Sequence, residues 1–137
     1  MHKSFASLSS DRQKYANMLL NDINTGDINL ENDKTFMDYI LEYESKAESD
    51  QIKKVVNAFG INENLLRKLM SSPVNENNLN EFGRYDELYN SRDIEKATEY
   101  FEKLHNKKYK KFEINRMIDN FLRDFILNGG FDIENYK

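Results

Sequence analysis

One stripe of apolar residues near the C-terminus constrains the fold of this chain more than any other sequence feature. From about Glu113 onward, apolar side chains recur every three or four residues, the spacing that places them on one face of a helix: Ile114, Met117, Ile118, Phe121, Leu122 and Phe125. Gly129 and Gly130 predict the end of this helix. An apolar helix face must be buried, so the remaining chain has to supply matching surfaces.

Comparable spacing elsewhere in the chain predicts further helices. They lie between Ser9 and Gly26, between Asp33 and Gly60, between Ile61 and Ser72, and between Ser91 and Asn106, with short turns or helices at 79–82 and 85–89. The chain contains one Pro and five Gly, which suits helices with solvated outer faces better than a turn-rich β-sandwich. We therefore predict an all-α fold, a compact irregular bundle of about five to seven helices with a short C-terminal tail.

The second helical segment contains two apolar stripes that differ in direction. At about 100° per residue, the stripe from Phe36 to Ala47 lies on a different face from the stripe from Ile52 to Phe59. Two explanations are open: a helix break near Glu48 to Asp50, where Ser49 or Asp50 caps a new helix, or one long helix between two layers. We predict the break.

The length of 137 residues fits one domain with a real core. We predict a single helical domain over 1–137, with a weak internal boundary in the Asn-rich stretch near 73–78. No apolar run approaches the roughly 20 residues that cross a bilayer, so we expect a soluble, cytoplasmic protein without a membrane partner. The formal charge of −4 argues against nucleic-acid binding by the whole surface.

Several classes of chemistry lack the residues that they require. There is no Cys, the two His residues are far apart, and no phosphate-binding glycine loop is present. The carboxylates of Glu42 and Glu44, and those between Asp93 and Glu102, fall opposite the apolar stripes and suit solvated helix faces. We therefore predict no catalytic, cofactor-binding or metal-binding residue in this chain.

A basic segment over 103–116 stands out in this acidic protein. It contains six Lys or Arg residues and one Glu, a formal charge of +5, with Tyr109 and Phe112 between the lysines. One interpretation, which we favour slightly, is a solvated loop with its aromatic rings turned to the core. The other is contact with a phosphate backbone or an acidic partner. The candidate contact residues are Lys107, Lys108, Lys110 and Lys111.

A second distinctive segment is Phe82-Gly83-Arg84-Tyr85-Asp86. Gly83 permits a sharp turn between two helical pieces because glycine tolerates positive φ. The turn is explained either as a structural corner with an internal pair between Arg84 and a carboxylate, or as part of a protein interface. Arg and Tyr are enriched in interfaces, so Arg84 and Tyr85 are the candidate contacts here.

Several short matches occur in the same order along the chain as in one known family. The chain resembles the C-terminal helical domain of the restriction (R) subunit of type I restriction-modification enzymes. The matching stretches are Tyr15-Ala16-Asn17, Leu20-Asn21-Asp22-Ile23, Gly26-Asp27, Lys34-Thr35-Phe36-Met37-Asp38-Tyr39-Ile40, Asn80-Glu81-Phe82-Gly83-Arg84-Tyr85-Asp86 and Leu122-Arg123-Asp124-Phe125-Ile126-Leu127. The nuclease and motor motifs of that longer subunit have no match here, so we expect this chain to be a fragment of it.

The resemblance implies a role in a machine that translocates and cuts unmodified DNA with ATP and Mg²⁺, both used outside this chain. It implies docking onto the methyltransferase core, built from the modification and specificity subunits, and contact with the motor domains of the same subunit. DNA is bound by the full complex. The leading hypothesis is a non-catalytic assembly module of this enzyme. The alternative is a helical module that binds the DNA backbone directly through 103–116.

Overall fold

The computed structural model of the chain describes residues 10–136 and places six α-helices and no strand within them. The helices are α1 (Ser10–Thr25), α2 (Phe36–Phe59), α3 (Glu63–Ser71), α4 (Arg84–Asn90), α5 (Ile94–His105) and α6 (Lys111–Leu127). Short 3₁₀ turns occupy Glu81–Gly83 and Ile133–Asn135, the latter in the C-terminal tail. The all-α prediction and the expected number of helices are confirmed. Ser9, expected near the first cap, lies outside the described residues.

The predicted break in the second helical segment is wrong, because α2 runs without interruption from Phe36 to Phe59. Its two apolar stripes belong to two different cores. Tyr39 and Ile40 pack in a cluster with residues of α1, whereas Ile52, Val55 and Phe59 belong to the larger cluster formed by the later helices. Each stripe therefore has its own packing partners, and the change of face needs no break in the backbone.

The chain divides into two compact units, residues 1–47 and 48–137. In the described part of the first unit, Ala16 and Leu19 of α1 are buried with Tyr39 and Ile40 of α2. Polar contacts support this small core, since Tyr43 donates a hydrogen bond to Asp22 and the guanidinium of Arg12 pairs with Glu44 at 3.0 Å. The single domain and the weak boundary near 73–78 stay predictions.

The second unit is built around α6, as its apolar stripe predicted. Ile114, Ile118, Phe121, Leu122 and Phe125 are all 0% exposed. The Phe121 ring lies at the centre of an aromatic cluster. Its centroid is 5.3 Å from that of Phe59, 5.6 Å from Phe125, 5.2 Å from Phe131 and 4.9 Å from Tyr136. The tail thus folds back onto α6 through Phe131 and Tyr136.

A tight turn at Gly60 holds the end of α2 against the start of α5. Gly60 has a φ of +65°, and the amide of Asp93 donates a 2.8 Å hydrogen bond to the carbonyl of Phe59. The Asp93 carboxylate also caps α5 by accepting a 3.1 Å hydrogen bond from the Lys96 amide. The backbones approach closely here, which favours glycine at position 60.

Candidate functional site

The segment Glu81–Tyr85, called here the corner, forms the turn that Gly83 predicted. Phe82 (φ 59°, ψ 21°) and Gly83 (φ 70°, ψ 13°) both adopt left-handed conformations, and α4 begins directly at Arg84. The Asn80 side chain fixes the turn. Its oxygen accepts a 3.0 Å hydrogen bond from the Asp86 amide, and its nitrogen donates a 2.9 Å hydrogen bond to the Asp86 carboxylate.

Phe82 and Arg84 lie side by side on the surface of the corner. Phe82 is 84% exposed, and the Arg84 guanidinium lies 5.9 Å from the centre of the Phe82 ring. Among the residues that the structure describes, Arg84 pairs with no carboxylate, so the internal ion pair considered from the sequence does not form. An arginine beside an exposed aromatic ring is instead a typical element of a protein interface.

Tyr85, the other predicted contact in the corner, lies in the core and is 1% exposed. Its hydroxyl donates a 2.5 Å hydrogen bond to the Asp119 carboxylate on α6. Arg123 pairs with the same carboxylate at 3.0 Å, and its guanidinium lies 4.5 Å from the centre of the Tyr85 ring. Tyr85 therefore anchors α4 on α6, and only Arg84 of the two predicted corner contacts is on the surface.

The pKa of the Tyr85 phenol is raised above its ordinary value. Burial is the larger cause, and the hydrogen bond to Asp119 is the smaller one. Its contribution to stability is complete below the unfolded pKa of about 10 and is lost as the pH rises above it, because only the unfolded chain then releases the proton readily. We expect Tyr85→Phe to lower the unfolding free energy at pH 8 by about 1–2 kcal/mol. Stability should then fall less steeply with pH than in the unmodified chain.

Urea denaturation of both chains at pH 8 and pH 10.5 measures this difference. The pKa values of Tyr43 and Tyr136 are also raised, to about 12. Both tyrosines are present in the unmodified chain and in the variant, so their contribution to the pH dependence of stability is the same in the two. An equal loss of stability in both chains between the two pH values would contradict the role of the Tyr85 hydroxyl.

The basic segment 103–116 spans the end of α5, a short loop and the start of α6. Two carboxylates fix the loop. Glu102 accepts a 3.0 Å hydrogen bond from the Tyr109 amide and pairs with Lys108 at 3.4 Å, and Glu113 accepts a 2.9 Å hydrogen bond from the Lys110 amide. The loop is thus held in one shape by side chains at the ends of both flanking helices.

Each of the two interpretations of the basic segment agrees with one of its aromatic rings, since one ring turns to the core and the other is exposed. Tyr109 is partly buried against the core, and its hydroxyl lies 2.7 Å from Nδ1 of His105. Phe112 instead points outward and is 62% exposed. The four candidate lysines, Lys107, Lys108, Lys110 and Lys111, are all exposed. The segment therefore presents positive charge together with one accessible aromatic ring.

Phe82 is the surface residue that sequence reasoning missed as a candidate contact. No sequence signal marked it, because Leu79 and Tyr85 lie three residues to either side of Phe82, a spacing that predicts burial on one helix face. Among residues 10–136, no group of three or more His, Cys, Asp or Glu side chains could hold a metal ion. None of the helices described is both long and apolar enough to span a membrane.

Comparison with known proteins identifies the family. A family model described as the C-terminal part of subunit R of type I restriction and modification enzymes matches residues 1–125. The chain belongs to this family. The match covers the first compact unit and residues 48–125 of the second, including the corner and the basic segment. No curated protein and no solved structure matched the chain.

Membership confirms the resemblance seen in the short colinear motifs and makes the chain a domain of a restriction enzyme subunit. The match ends within α6, at Phe125. The tail residues Phe131 and Tyr136 lie beyond the matched range, yet they pack against Phe121 inside it. The tail therefore contributes to the core of the second unit.

Proposed function

We propose that this domain docks the R subunit onto the methyltransferase core, formed by the modification and specificity subunits. The observation that carries the proposal is the family match over residues 1–125 to the C-terminal part of subunit R. The domain itself performs no chemistry. ATP-driven translocation and cleavage of unmodified DNA, with the ATP and Mg²⁺ that they use, belong to other domains of the subunit, which this domain also contacts.

The surface of the second unit supports a docking role. It includes the exposed rings of Phe82 and Phe112 and the Arg84 guanidinium beside Phe82, and aromatic and Arg side chains are enriched in protein interfaces. Phe82 lies on a turn that is fixed by the Asn80 hydrogen bonds, and Phe112 lies at the start of α6, next to a loop that Glu102 fixes. A surface held in shape before binding loses little conformational entropy when a partner docks.

Deleting this domain from the full-length R subunit tests the proposal. We expect the truncated subunit to lose co-elution with the methyltransferase core in size-exclusion chromatography, while ATP binding by its motor domains shows that the remainder is folded. If the truncated subunit assembles with the core as tightly as the full subunit does, docking is not the function of this domain.

Direct binding to the DNA backbone is a second candidate function. The observation that favours it is the exposure of Lys107, Lys108, Lys110 and Lys111 beside the exposed Phe112 ring. Lysines at this density neutralise phosphates and release counterions, and an accessible aromatic ring can stack on a base. Hydrogen bonds to Glu102 and Glu113 fix the loop that carries Lys107, Lys108 and Lys110.

If the basic segment binds DNA, changing its four lysines to Ala should weaken duplex binding at low salt. The slope of log affinity against log salt should fall by roughly 0.9 for each lost phosphate contact. The matched control changes four other exposed lysines to Ala: Lys14, Lys46, Lys53 and Lys68. The control and the test variant therefore have the same net charge. Fluorescence anisotropy over a salt series measures both variants. Equal effects of the two variants would contradict a specific site.

A further inference from the structure

We infer that Phe82 is an anchor residue that inserts into an apolar pocket with a basic rim on the methyltransferase core. This inference rests on the proposed docking function and assigns the surface that performs it. Phe82 has a φ of 59°, a left-handed conformation that is unfavourable for residues with a Cβ atom. Its ring is also 84% exposed, so burial within this chain does not offset that cost.

Both features of Phe82 raise the free energy of the isolated folded domain. A glycine at this position would adopt the same backbone angles without strain and would expose no apolar ring. Strained residues that persist in a fixed turn are typical of functional surfaces, where a contact outside the domain gives them their benefit. The phenylalanine is therefore explained by binding and not by folding.

The corner holds the backbone of Phe82 in one conformation. The amide of Gly83 donates a 3.0 Å hydrogen bond to the carbonyl of Asn80, and Asn80 is joined to Asp86 by two side-chain hydrogen bonds. Directly after the ring, Tyr85 fixes α4 to Asp119 of α6. An exposed aromatic ring on a fixed backbone is an efficient anchor, because little backbone freedom is lost on binding.

The charges around the ring indicate what kind of partner fits it. Glu81, Asp86 and Glu87 are exposed and outnumber the nearby cations Arg84 and Arg123, the second of which already pairs with Asp119. This acidic surrounding repels a phosphate backbone and complements a protein surface that carries Lys or Arg around an apolar pocket. The occupant favoured by these observations is thus a protein pocket on the methyltransferase core, and DNA is not.

The test is Phe82→Gly, whose expected effects on stability and on binding have opposite signs. The melting temperature of the domain should rise by roughly 2–6 °C, because strain and exposed apolar surface are removed. The affinity of the full-length R subunit for the methyltransferase core should fall at least about tenfold. The control Phe36→Ala removes another exposed ring, which lies on α2 in the first unit, and should leave that affinity within about twofold.

Each outcome has a distinct meaning. A lower melting temperature for Phe82→Gly would show that the ring stabilises the fold and would overturn the inference. Unchanged affinity of this variant, alongside lost assembly of the domain-deleted subunit, would overturn the inference and leave the docking function intact. Assembly that survives the domain deletion would overturn both. Weakened self-association of the domain with unchanged core affinity would assign Phe82 to contacts between copies and would also overturn the inference.

Discussion

Phe121→Ala is expected to lower the unfolding free energy of the second unit by about 3–5 kcal/mol, the usual cost of removing a buried aromatic ring. The Phe121 ring is fully buried, and four other rings surround it. Its removal leaves a cavity that the rings of Phe59 and Phe125 cannot fill without leaving their own contacts. The loss should also release the tail, since Phe131 and Tyr136 both pack on this ring.

The matched control for this change lies on the same helix. Phe112→Ala makes an identical substitution on α6, where the ring is 62% exposed, and should change stability by about 0.5 kcal/mol or less. Guanidinium denaturation followed by circular dichroism measures both variants. A similar loss in the two would mean that the aromatic cluster does not hold the second unit together.

The core around α6 could be predicted because its sequence pattern is long and regular. Over about three turns, each residue of the stripe from Ile114 to Phe125 repeats the same face, so one exception would not change the direction of burial. The corner offers no such redundancy. Helix α4 has seven residues, too few for the period to show that Tyr85 points inward and Arg84 outward. Arg and Tyr were therefore treated alike from the sequence, and the structure separates them.

The continuity of α2 could not be predicted for a different reason. The sequence shows that its apolar face changes direction near Glu48, but it does not show that the two halves have separate cores. No residue between Glu48 and Asp50 is a strong helix breaker, so backbone preference allows the helix to continue once both halves are buried. Local helix propensity and tertiary packing both favour a continuous helix here, and only the change of direction of the apolar stripe suggested a break.

The exposure of Phe82 also required the structure. Composition treats phenylalanine as core material, and the Asn80 to Asp86 hydrogen bonds that hold the corner join residues six positions apart. A positive φ at Gly83 was expected from its type, whereas a positive φ at Phe82 contradicts the preference of its type. Such a disagreement between local preference and observed conformation is expected at functional surfaces.

Gly60→Ala should lower the unfolding free energy by about 2–4 kcal/mol, the sum of a left-handed backbone cost and an overpacking cost. The φ of Gly60 is +65°, and a Cβ atom at this position would lie 2.7 Å from the Cβ of Asp93. Asp93 cannot move away freely, since its amide is bonded to Phe59 and its carboxylate caps α5. The added methyl group therefore forces α2 and α5 apart.

Gly83→Ala separates the two costs. Gly83 has a similar φ of +70°, but a Cβ atom added there would have no atom within 4 Å, so only the backbone cost of about 1–2 kcal/mol should appear. Asp93→Gly removes the very atom that the new methyl group meets. In a double-mutant cycle, Gly60→Ala and Asp93→Gly should therefore be less destabilising together than the sum of the two single changes, by about 1 kcal/mol or more. Strict additivity would place the cost of Gly60→Ala in its backbone angles alone, and the close approach of α2 and α5 would then not be what requires glycine at this position.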